Sequence, residues 1–176
     1  MLKTFETNRL ILRERTLEDI ESCIEMDRDP EVVKYIPEIA NLVVGSSTNE
    51  EEHRKFVKER IITEYPKGMG YWTIEKKGEN KDFIGWIMLI PINMVGPEIE
   101  VGWRLRRKYW GKGYATEAAN EILRYAFDIL KIKELVADIH HLNKGSRRVA
   151  EKIGLINKDM LKNNTNNHIR YSICKD

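Results

Sequence analysis

One α/β domain spanning residues 1–176, with a mixed, mostly antiparallel central sheet and helices on both faces, is the fold class this sequence predicts. Three observations carry that prediction. Apolar residues alternate with polar or small ones in several short runs, most clearly where Ile99, Val101, Trp103 and Leu105 interleave with Glu98, Glu100, Gly102 and Arg104. Ala115, Ala118, Ala119, Ile122, Ala126 and Ile129 then recur at helical spacing, so a strand passes into a helix across Gly111 and Gly113. The 176 residues also suit one domain able to bury a core without disulfides or metal.

Leu10-Ile11-Leu12-Arg13 reads as the first strand. Thr16 then caps a helix running to about Arg28, with Asp19 in the place of a capping-box acid. Residues 30–48, which hold Pro30, Pro37 and Gly45, read as a loop with one helical turn. A second helix starts at Thr48 or Asn49 and reaches about Thr63. Residues 71–74 and 83–90, rich in aromatic and branched side chains, form a hairpin about Lys77-Gly78-Glu79-Asn80. The strand around Glu100 and the glycine junction follow, with a helix to about Leu130. Residues 135–140 supply another strand, and a helix from about Lys144 to Ile153 stops at Gly154, a C-terminal cap. Residues 155–160 and 168–173 close the chain as two strands about an Asn-rich loop.

Thirty Lys and Arg residues against 28 Asp and Glu leave a formal charge of only +2, which does not fit a globally basic nucleic-acid binder. Cys23 and Cys174 form no Cys-x-x-Cys pair, so reduced thiols are expected in place of a disulfide framework or a metal site. The first residues carry mixed charge and no apolar run approaches spanning length, so no membrane partner is expected and the cytoplasm is the default location.

Chemistry concentrates first in Arg107-Lys108-Tyr109-Trp110-Gly111-Lys112-Gly113-Tyr114-Ala115-Thr116-Glu117-Ala118, at the mouth of an amphipathic helix. The first amides of a helix lack intrahelical partners and carry the positive end of its dipole, so they attract anions. Two glycines let a phosphate approach the main chain. From the glycines alone a plain surface turn remains equally open. Neither a Walker loop nor a dinucleotide fingerprint fits: no Gly-Lys-Ser or Gly-Lys-Thr occurs, and Thr116 stands where the third glycine would be.

A second group, Asn143-Lys144-Gly145-Ser146 followed by Glu151-Lys152-Ile153-Gly154-Leu155, lies between the strand at residues 135–140 and its helix. On its own it reads as a helix cap by Asn143 or Ser146. Together with the glycine junction it resembles the GNAT superfamily of acyl-CoA-dependent N-acetyltransferases, and more closely the ribosomal-protein N-terminal acetyltransferase-like (RimJ/RimL-type) branch. Asn8-Arg9-Leu10-Ile11-Leu12-Arg13 is similar to the branch's opening strand, Asp29-Pro30-Glu31-Val32 to its first-helix exit and Glu100-Val101-Gly102-Trp103 to its central strand. Two positions depart from the pattern. Lys108 stands where Gln or Arg is frequent, and Ala150 where many members carry a tyrosine that assists the departing thiol.

The resemblance implies acetyl-CoA as co-substrate and direct transfer of its acetyl group to a primary amine, without a metal. Lys108, Trp110, Gly111, Lys112, Gly113, Tyr114 and Ala115 would hold the diphosphate, and the main chain at Val101 and Trp103 the pantetheine arm. Asn143 would bond that arm or order its loop. Glu100, on the strand face opposite Val101 and Trp103, would take the amine's proton, with Glu98 as rival. Ser146 would stabilise the leaving thiolate by hydrogen bonding, a role compatible with capping. His140 and His141 are expected to be structural. No cysteine lies in the expected site, so no acyl-enzyme is implied. The acceptor is expected to be a peptide or protein N-terminal amine, with a polyamine, aminoglycoside or other small amine as alternative; a non-catalytic acyl-CoA sensor is the reading of another class. Loops at residues 35–47 and 163–167 should select the acceptor, and the family leaves a homodimer open.

Overall fold

The computed structural model describes residues 1–43, 47–78, 81–158 and 167–175. Among them, β1 (Phe5–Glu6), β2 (Leu10–Glu14), β3 (Gly70–Lys76), β4 (Phe83–Pro91), β5 (Ile99–Leu105), β6 (Glu134–His140), β7 (Ile156–Asn157) and β8 (His168–Cys174) form one sheet, in the order β1-β2-β3-β4-β5-β6-β8-β7. Neighbours are antiparallel except β5 and β6. This is the mixed, mostly antiparallel sheet that the sequence predicts. Helices α1 (Ile20–Asp27), α2 (Pro30–Val33), α3 (Pro37–Val43) and α4 (Ser47–Ile62) precede β3; α5 (Tyr114–Arg124) joins β5 to β6, and α6 (Lys144–Lys152) follows β6.

The alternation in β5 divides the molecule. Val101 and Leu105 enter a core shared with Leu10, Trp72, Ile87 and the Ala118, Ala119 and Ile122 face of α5. A second core, with Cys23, Met26, Ile39, Val57, Tyr71 and Trp86, lies where α1, α3 and α4 cover the opposite face. Helices thus lie on both faces, as expected from the period-two strands and the separate helical runs.

The local signals hold in detail. Asp19 Oδ2 accepts from the Thr16 N–H at 2.9 Å, and a 3₁₀ turn over Leu17–Asp19 leads into α1. At the end of α6, Gly154 (φ 89°) and Leu155 donate to the carbonyls of Glu151 and Ala150, a Schellman closure.

Residues 30–48 differ from expectation, because they contain α2 and α3. Both prolines sit at the first position of a helix, where a missing N–H costs nothing, so they start helices instead of interrupting a loop. Asp29 caps α2 by accepting from the Glu31 N–H at 3.0 Å. The helix expected to reach Leu130 is α-helical to Arg124 and continues as a single π turn over Tyr125–Ile129. The strand expected at residues 155–160 contracts to β7; Asp159 and Met160, like Glu79 and Asn80 of the hairpin turn, lie outside the described residues. No helix among the described residues is long and apolar enough to cross a membrane.

Candidate active site

The parallel pair β5–β6 is joined only at Ile99↔Leu135 and Glu100↔Val136, after which the two strands part. Each is held from its other side, β5 by β4 as far as Gly85↔Leu105 and β6 by β8 as far as His140↔His168. Neither strand can swing across to close the fork, because doing so would give up a full antiparallel ladder. A cavity of about 480 Å³ opens there, lined by residues 100–104 of β5, 137–140 of β6, 35–39 around α3, part of α4, and Asn143 and Ser146.

Glu100 is the half-buried carboxylate of the fork. Burial pushes its pKa up to about 7 and the nearby Asp138 charge adds to the rise, partly opposed by a main-chain hydrogen bond from Asp138 and by Arg170. A carboxylate so raised is matched to proton transfer near neutral pH. Its rival, Glu98, is exposed and ion-paired with Arg170 at 2.6 Å, so its charge is already committed. Val101 is fully buried in the α5-side core, and anything it offers the fork is main chain. Trp103 is half-buried against the same core.

The glycine junction lies exposed at the mouth of α5. Gly111 (φ 73°) and Gly113 (φ 81°) are left-handed, a conformation other residues resist, and a Cβ on Gly111 would meet nothing within 4 Å. The first amide of α5 to find a backbone carbonyl is that of Glu117, bonded to Gly113 O at 3.0 Å; those of Tyr114, Ala115 and Thr116 precede it with no such partner among the described residues. Tyr114 is buried and Ala115 half-buried, whereas Lys108 and Lys112 are exposed, each over the Tyr109 ring. Trp110 is 45% exposed and anchored by its indole N–H to Leu105 O at 2.8 Å.

A brace that the sequence did not reveal fixes this loop. Arg9 Nε donates to Glu117 Oε2 at 2.6 Å, Arg9 Nη1 donates to Lys112 O at 3.0 Å, and the Thr7 hydroxyl donates to Glu117 Oε1 at 2.6 Å. The guanidinium also lies 4.4 Å from the centre of the Tyr114 ring. Burial raises the Glu117 carboxyl, but these bonds outweigh it and hold it below the usual carboxylate range. Arg9→Ala should therefore cost about 1 kcal/mol, read as a melting temperature lower by about 2–4 °C. The Glu117 contribution is present above the ordinary carboxylate pKa and lost as pH falls through the depressed one. The gap between wild type and variant should accordingly narrow in thermal melts below about pH 4.

At the start of α6, Asn143 Oδ1 accepts from the Ser146 N–H at 3.1 Å, so Asn143 is the cap. Both residues also line the cavity. Ala150, one helical turn on, is fully buried, so the side of α6 facing the fork offers Ser146 and no tyrosine. His140 stacks between Tyr35 and His141, at 4.9 and 4.7 Å, and meets His168 edge-on at 5.5 Å. Burial and the two neighbouring histidines keep its pKa below the usual value. Across the cavity Arg104 is held by Asp27 at 3.0 Å, itself bonded to buried His53 at 3.1 Å. Of the expected acceptor loops, residues 35–39 line the cavity, while residues 44–46 and 163–166 lie outside those described.

Residues 9–156 match the family model described as an acetyltransferase (GNAT) domain. The FsC-acetyl coenzyme A-N(2)-transacetylase of Aspergillus fumigatus is 30% identical over 192 residues, covering 98% of this chain and 77% of that protein. A GNAT-family acetyltransferase from Bacillus anthracis superposes with a TM-score of 0.76 at 28% identity, covering 98% of each chain. RimL, a ribosomal L7/L12 alpha-N-protein acetyltransferase solved with coenzyme A, shares the fold at 16% identity, with a TM-score of 0.74 and 99% of each chain covered. A forked sheet, a glycine-opened helix mouth and a family match over most of its length make this chain a member of the GNAT family of N-acetyltransferases.

Proposed function

We propose that this chain moves the acetyl group of acetyl-CoA directly to a small primary amine held in the cavity beside Glu100. The placement of Glu100, a neutral-range carboxylate at the fork, carries this reading. The open space over Gly111 and the unpartnered amides of Tyr114 and Ala115 suit a diphosphate, with Lys108 and Lys112 adding charge and Trp110 flanking it. The main chain of Val101 and Trp103, past the point where β6 leaves β5, suits the pantetheine amides. When bound, the coenzyme supplies an activated thioester. Glu100 accepts the proton of the attacking amine, directly or through water, and the acetyl carbon passes from sulfur to nitrogen. Ser146 donates a hydrogen bond to the departing thiolate, which needs no strong acid because its ordinary pKa is about 8.5. Asn143 keeps Ser146 in place.

A cavity of about 480 Å³ is of small-ligand size, and α3 and α4 roof it. The Aspergillus relative is named for transfer to a nitrogen. The RimJ/RimL-type motifs support a peptide N-terminal amine as second reading. Unpaired Cys23 and Cys174 fit a reducing, cytoplasmic setting. The test is release of free thiol from acetyl-CoA across a panel of small amines and N-terminal peptides. Amine-dependent release is expected. If coenzyme raises the melting temperature but no amine supports release, the protein is a sensor and not an enzyme.

A further inference from the structure

Arg15 lines the acceptor cavity although only 6% of its surface is exposed. Among the described residues, its buried Nε and Nη2 have no hydrogen-bond partner and no carboxylate pairs with it. The guanidinium lies 3.9 Å from the centre of the Tyr71 ring and 5.7 Å from that of Trp86, so its stem leans from β2 across β3 toward β4. Burying a cation unpaired is costly, and structures seldom tolerate it without a use. Neighbouring charges do not answer it: Glu38, which also lines the cavity, is exposed and makes no ion pair with it among the described residues. Asp27 is taken by Arg104 and His53, Asp138 by Arg170, and Asp19 by Arg13. Arg60, stacked over Phe56 at 3.5 Å, adds a second cation to the same cavity with no ion pair among the described residues.

Opposite this cationic wall stands Glu100. Arg15 bonds through its N–H to Tyr71 O, Tyr71 pairs with Met88 and Met88 with Gly102, which places Arg15 three strands from β5. At the usual inter-strand spacing Arg15 and Gly102 are about 14 Å apart, with Glu100 two residues away along β5, and the Arg15 and Glu100 side chains line the cavity between them. We propose that the acceptor is an amino carboxylate: one small molecule whose carboxylate is gripped by the Arg15 guanidinium while its amine faces Glu100. A planar fork of donors suits a carboxylate, and its arrival would neutralise a charge that the fold leaves bare. This inference rests on the small-amine reading above and narrows it, since a polyamine would bring further positive charge to Arg15.

The experiment compares matched pairs with the acetyl-CoA-supplied protein: α-amino acids against their amides, and ω-amino acids of increasing length against alkylamines and diamines. Free-thiol release gives kcat/KM, and thermal melts with coenzyme A present report binding independently of turnover. Acids are expected to exceed their neutral partners at least tenfold in kcat/KM and to raise the melting temperature where the partners do not. That ratio should collapse toward one in Arg15→Gln, chiefly through KM, and recover in part in Arg15→Lys. Should Arg15→Gln fail to fold, the wild-type ratio and melts decide alone. Neutral amines used as well as or better than the acids would overturn the proposal and leave the acetyltransferase reading intact. No turnover with any amine would overturn both.

Discussion

Glu100→Gln is expected to lower kcat/KM by about 10²- to 10³-fold while leaving coenzyme binding in place. The amine must lose a proton as it attacks, and Glu100 is the carboxylate at the fork that is not locked in an ion pair. With its pKa near 7, the wild-type rate should climb with pH and level off above that value, a limb missing from the variant. Stability should move in the opposite sense. The folded pKa lies above the ordinary 4.5, so folding favours the protonated carboxyl; that contribution is complete below about 4.5 and is lost as pH rises to about 7. Ionised Glu100 then costs about 3 kcal/mol, which glutamine avoids. Melts should show the variant more stable than wild type at about pH 8 and level with it at about pH 4. A pH-rate profile with the same limb in both proteins would remove Glu100 from the mechanism.

Gly111→Val is expected to raise the dissociation constant for coenzyme A by about 10²-fold. The position is left-handed at φ 73°, where a β-branched residue is strained by roughly 1–2 kcal/mol. Within the protein a side chain there has open space, so the remaining loss comes from occupying the volume through which a diphosphate reaches the main chain. Titration calorimetry separates the two parts, because strain alone would lower the melting temperature by a few degrees without changing affinity. An unchanged affinity would show that the diphosphate does not approach the loop from this side.

Legibility in the sequence followed the distance over which each feature is built. The glycine junction, the Thr16–Asp19 capping box, the Gly154 closure and the face of β5 that carries Glu100 all depend on neighbours within one helical turn or one strand, and all are written locally. The fork is different, because the departure of β6 from β5 is decided by ladders with β4 and β8 that no single segment contains. Arg9 and Glu117 are 108 residues apart, and each alone reads as an ordinary surface charge. Arg15 is silent in the sequence for a similar reason: nothing around it shows that Tyr71 and Trp86 will enclose its side chain and leave it unpaired. Pro30 and Pro37 read as helix breakers in the sequence but open α2 and α3, since a proline breaks a helix only from inside it.

The most direct test of the account is a calorimetric titration of the wild-type protein with acetyl-CoA. One site per chain is predicted, with a dissociation constant of about 100 µM or tighter, retained in Glu100→Gln and weakened in Gly111→Val. Absence of heat and of thermal stabilisation at millimolar coenzyme would contradict the assignment of the α5 mouth and the β5–β6 fork as its binding site.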